Sequence, residues 1–143
     1  MSSARLAVYA AVLAVVAWIV KGIAIAAAGG LDKSALESPL FVVGMLALII
    51  ALGAFGVAVT AGRPVPVRAL AAVGAIVVGV MLSILVQNAV KAALPDSTDW
   101  VQEEAGLWIG SILVAALIAM VLRSRSTPAT PVQHGTSSAD ASA

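Results

Sequence analysis

The stretch ALAAVGAIVVGVMLSILVQNAV, residues 69–90, carries no charged side chain. A helix that crosses a bilayer needs about 20 mostly apolar residues, and this stretch supplies them. Three further stretches of the same kind lie around it, at about 6–28, 39–61 and 100–122. The expected fold is therefore an all-α integral membrane protein. Its four transmembrane helices form an up-down-up-down bundle, because short connections make consecutive helices antiparallel neighbours.

Composition points the same way. Of 143 residues, 62% are hydrophobic and only 10% charged, whereas soluble domains carry about 25% charge. A soluble chain this short could not bury that much apolar surface. Residues 1–122 make one transmembrane domain. Residues 123–143 are rich in Ser, Thr, Ala and Pro, too poor in large apolar groups to offset ordering entropy, so a disordered cytoplasmic tail is expected.

Several function classes drop out. The chain has no Cys, and its only His is His134 in the tail, so thiol chemistry and intramembrane haem or zinc ligation have no residues to use. Net charge is +1 without a basic run, which leaves no electrostatic footprint for nucleic acid. No phosphate-binding or dinucleotide fingerprint is present. No catalytic triad or metal-ligand spacing occurs either. A non-enzymatic protein with no cofactor is expected.

The breaks between spans are legible. Residues 29–38 form a polar loop, with Ser38 as N-cap and Pro39 as first residue of the second span. Pro64 and Pro66 break the helix between spans two and three. Residues 91–99 separate the last two spans, and Asp99 with Gln102 matches a capping box. The N-terminus admits a second reading. Arg5, the apolar run 6–20 and Ala26–Ala28 also match a cleaved signal peptide. Cleavage would leave three spans.

Charge sets orientation. Arg5, Arg63, Arg68, Arg123 and Arg125 all fall on one side if four helices alternate, and Asp32, Glu37, Asp96, Asp99, Glu103 and Glu104 fall on the other. The positive-inside rule then places both termini in the cytoplasm of a cytoplasmic-membrane protein. Tyr9 and Trp100 sit where an aromatic belt would place them, while Trp18 and Trp108 lie deeper, as packing residues.

Small residues mark helix contacts in lipid. Ala71, Ala75, Gly79 and Ser83 recur every four residues in the third span, and Gly106 and Gly110 form a GxxxG pair in the fourth. Such rows serve packing within one bundle or an interface with a second copy. A 66-residue offset aligns Glu37 with Glu103 and Gly44 with Gly110, as a parallel repeat would.

Lys21 is the one charged side chain well inside a span. It either snorkels to the outer interface or pairs with Glu37, Glu103 or Glu104. Together with Gln87, Asn88 and Lys91 these residues form a candidate polar cluster under the outer loops. Two functions follow. One is a structural or interaction component of the membrane, whose partners are the lipid bilayer and other membrane proteins. The other is a small homo-oligomeric transporter or channel that uses the outer cluster.

Four spans in a short chain resemble the small multidrug resistance transporters. That family uses a Glu within its first span, where this chain has Lys21 and no acid, so the resemblance implies no transport chemistry here. The Ala- and Val-rich, arginine-favouring composition resembles bacterial inner-membrane proteins from high-GC genomes.

Overall fold

The computed structural model describes residues 1–93 and 99–126, with residues 99, 100, 102, 103 and 126 as backbone alone. It contains four helices: α1 (Ser3–Ala28), α2 (Glu37–Val59), α3 (Val65–Ala93) and α4 (Asp99–Ser126). No strand occurs among the described residues. All four helices are long and apolar enough to cross a membrane. Asp96, His134, the tail beyond residue 126, and the side chains of Trp100, Glu103 and the Asp99–Gln102 capping pair lie outside the described residues.

Each helix begins earlier than its apolar run, for local reasons. The Ser2 hydroxyl caps α1 by accepting from the Arg5 N–H at 3.4 Å. At the other end Gly29 adopts φ 81°, which glycine enters without steric cost, and its N–H returns to the Ala26 carbonyl. In α2 the N-cap is Leu36 rather than Ser38, and Pro39 sits inside the first turn. The first turn closes there because the Leu40 N–H reaches the Leu36 carbonyl at 3.1 Å, while Glu37 accepts the Asp32 N–H at 2.9 Å and ties the loop to the helix. Pro66 likewise lies in the first turn of α3, where a missing N–H costs no hydrogen bond. The break between α2 and α3 therefore spans fewer residues than the two prolines suggest. At the far end α4 runs past residue 122 through Ser126. Arg123 and Arg125 suit the negative end of its dipole, and Arg125 Nη1 donates to the Val59 carbonyl of α2 at 2.7 Å.

The packed interior is built largely from alanine. Ala7, Ala10, Ala11 and Ala14 of α1 join Ala47, Leu48, Ala51, Leu52 and Ala54 of α2 and Val114 and Ile118 of α4 in one buried cluster. The α1 residues recur at three- and four-residue steps, one stripe of the helix. Large side chains such as Val12, Leu13, Val16 and Ile19 point away from the cluster and are exposed. α3 is the least enclosed helix, with Gly79 its only buried residue.

The small-residue row of α3 packs within the chain. A Cβ on Gly56 of α2 would overlap the Ala71 carbonyl of α3, and one on Gly79 would strike Leu52 of α2. Ser83 and Gln87 continue the row onto α4, facing Gly110 and Gly106 respectively. The two glycines of the GxxxG pair are not equivalent. A Cβ on Gly106 would lie 3.0 Å from Gln87 Cα, whereas one on Gly110 would lie 3.7 Å from Ser83 Cα. Gly110→Ala is therefore expected to gain helix propensity and raise stability by up to about 1 kcal/mol. Gly106→Ala adds an overpacking cost of about 1–3 kcal/mol. Thermal unfolding of both variants in detergent micelles checks the contrast; equal melting temperatures would contradict it.

Candidate functional site

Three helices converge near the end of the bundle that carries the 29–36 loop. α1 contributes Trp18, Lys21 and Gly22 at helical spacing. α2 contributes Glu37, Phe41 and Gly44. α4 contributes Glu104 and Trp108, four residues apart and so on one face. Lys21 is 4% exposed and Glu104 2%. The Lys21 ammonium donates to Glu104 Oε1. It also stands 4.0 Å from Glu37 Oε1 and 5.7 Å from the centroid of the Phe41 ring. A desolvated cation over a ring face gains from the aromatic quadrupole.

Lys21 therefore does not snorkel: its charge is held inside by a carboxylate. Glu37 is the more solvated partner, its side chain 18% exposed. Lys21, Glu37, Ser38, Phe41 and Val42 line a shallow opening of about 180 Å³ beside the pair. Glu104 Oε2 is buried and has no hydrogen-bond partner among the described residues. An arrangement of this kind is a poor source of net stability, because desolvation consumes most of the Coulombic gain. What it does supply is specificity of helix rotation, since either charge left alone would be costly.

Two tryptophans set that rotation. Trp18 of α1 lies across Gly44 of α2, where a Cβ would come within 2.8 Å of the indole. Trp108 of α4 lies across Gly22 of α1, and a Cβ there would overlap its ring. The Trp108 indole N–H donates to the Trp18 carbonyl at 3.0 Å. Trp18 also meets Phe41 edge to face, with centroids 5.3 Å apart, a favoured aromatic geometry.

Of the sequence candidates, the structure brings Lys21, Glu37 and Glu104 together. Gln87 packs on Gly106 and lines a separate cavity of about 100 Å³, with Trp18, Met45, Ser83 and Ser111 among its other walls. Asn88 and Lys91 are exposed on α3. The side chain of Glu103 lies outside the described residues. The 66-residue offset pairs Glu37 with Glu103, but the acids that meet Lys21 are Glu37 and Glu104, one residue further on. Each stands four residues before an aromatic, Phe41 and Trp108.

Phe41 and Gly22 do not stand out in the sequence, and Gly44 stands out there only through its match to Gly110, not as the seat of Trp18. Only the four-residue spacing from glutamate to aromatic in α2 and α4 could have signalled the first. The chain matches no protein-family model, no curated protein and no solved structure.

Proposed function

We propose that the protein is a four-span, non-enzymatic component of a bacterial cytoplasmic membrane. It acts as a structural or interaction partner, with the helices in up-down-up-down order and both termini on the cytoplasmic side. Helix registers support that order. Gly56 meets Ala71 while Leu52 meets Gly79, and Gln87 meets Gly106 while Ser83 meets Gly110, as antiparallel neighbours require. Arginine contacts support the orientation. Arg5 and Arg123 line one groove, and Arg125 reaches the end of α2, which gathers basic side chains at one end as the positive-inside rule expects.

One observation carries the non-transport reading. Among the described residues, the buried charged side chains are Lys21 and Glu104, paired with each other near one end. Past the small cavity lined by Gln87, Ser83 and the buried Ser111, whose hydroxyl donates to the Trp108 carbonyl, the interior towards the arginine-rich end is filled by alanine and aliphatic side chains. A conduction path needs polar lining through the full depth, and the alanine and aliphatic cluster at the arginine-rich half offers none. The charged group serves instead to hold three helices in register.

Reconstitution into proteoliposomes tests this. No flux of protons, monovalent cations or small organic cations above empty vesicles is expected, with or without a membrane potential. Flux that disappears with Glu104→Gln would overturn the reading in favour of a transporter.

A further inference from the structure

We propose that the groove between α1 and α4 at the arginine-rich end binds one anionic phospholipid. The inference rests on the membrane reading above. The groove is open on one side, has a volume of about 440 Å³ and is lined by Ala4, Arg5, Val8, Tyr9, Ala119, Leu122 and Arg123. That volume falls in the roughly 300–1,000 Å³ range of small-ligand clefts. Its walls divide by chemistry. Val8 and Ala119 stand about one helix turn inside Arg5 and Arg123 along α1 and α4 and give the groove an apolar inner lining, with Ala4 and Leu122 beside the arginines. Arg5 comes from α1 and Arg123 from α4, and the exposed Tyr9 lines the same groove one helix turn inside Arg5.

An acyl chain fits the floor and a phosphate diester fits the rim. A guanidinium presents a planar fork of donors matched to phosphate oxygens, and basic recesses between membrane helices on the cytoplasmic side select anionic headgroups. Tyr9 is an interfacial residue, apolar at its body and polar at its tip. The groove thus carries charge at its outer end and apolar surface one turn inside, the order in which a phospholipid presents its own parts. A zwitterionic lipid brings its own cation to the rim and would meet two arginines with it. The other three arginines at this end, Arg63, Arg68 and Arg125, do not line the groove.

The full-length protein is reconstituted into phosphatidylcholine vesicles containing a minor fraction of phosphatidylglycerol. It is then extracted gently and weighed by native mass spectrometry. One retained phosphatidylglycerol per chain is expected, in preference to phosphatidylcholine. Arg5→Gln with Arg123→Gln should cut that preference about thirtyfold, the combined weight of two interfacial basic side chains. Arg63→Gln with Arg125→Gln removes the same charge outside the groove and should leave retention within about threefold. Ala119→Phe keeps the charges, fills the floor and should abolish retention. Undiminished retention in the first variant, or equal loss in the second, would overturn the proposal. Retention by Ala119→Phe would overturn the seat for the acyl chain. Resistance of the same variants to alkaline extraction from membranes reports separately on the four-span reading, so the two can fail independently.

Discussion

Lys21→Leu is expected to lower the unfolding stability of the bundle by about 3–5 kcal/mol, because it strands the Glu104 carboxylate without its cation. Glu104 is 2% exposed, and one of its oxygens already lacks a hydrogen-bond partner. Removing Lys21 leaves that carboxylate with no charge-assisted bond from the ammonium. The converse, Glu104→Leu, is expected to cost less. Lys21 retains Glu37 at 4.0 Å and the Phe41 ring at 5.7 Å, and its long stem gives it a route towards the interface. Replacing both, as Lys21→Leu with Glu104→Leu, should return stability to within about 1 kcal/mol of the parent or above it, since a well-packed apolar pair avoids desolvation altogether. The three variants with the parent form a double-mutant cycle. Denaturant titration in micelles reads it through tryptophan emission, because Trp108 stands four residues from Glu104 and bonds to the Trp18 carbonyl. A Lys21→Leu protein as stable as the parent would mean that the pair contributes nothing.

The second large effect is steric. Gly56→Ala should cost at least about 1–3 kcal/mol, although alanine is the better helix former by about 1 kcal/mol. The added methyl would run into the α3 main chain at Ala71 and lie 2.7 Å from Ala72 Cα. Backbone cannot rotate out of the way as a leucine tip can, so α2 and α3 must separate along their length. Gly74→Ala on α3 is the matched control, with nothing within 4 Å of its Cβ position. That variant should be neutral or more stable by up to about 1 kcal/mol. Loss of stability in both, or in neither, would show that the close approach at Gly56 is not what holds the two helices together.

Part of the site was legible in the sequence. Lys21 stands out as a lone charge inside a span, and Glu37 and Glu104 are among the few acids near its level. Which glutamate pairs with it was not legible. Glu103 and Glu104 differ by a rotation of about 100° around α4, and both suit a first turn equally well. The choice comes from Trp108, whose seat on Gly22 turns the Glu104 face towards α1. The alanine interface was hidden for another reason. Ala7, Ala11 and Ala14 recur at helical spacing, but the exposed positions between them are apolar too, so no polar–apolar contrast marks the stripe. The α3 row was easier to see because glycine and serine interrupt a run of large side chains.

The sequence by itself determined that there are four apolar helices and roughly where each one ends. Helix length and hydropathy are local properties, read from about 20 residues at a time, and prolines, glycines and charges punctuate them. The exact ends shifted by a few residues where local bonds, such as the Ser2 hydroxyl to the Arg5 N–H or the Leu36 carbonyl to the Leu40 N–H, closed an earlier turn. Only the tertiary structure decided which face of each helix turns inward. Both faces of these helices are apolar, so the deciding forces are contact fit and the cost of a buried charge. Here these are two indoles on two glycines, an alanine seam, and a lysine whose ammonium is held by a carboxylate 83 residues further along the chain.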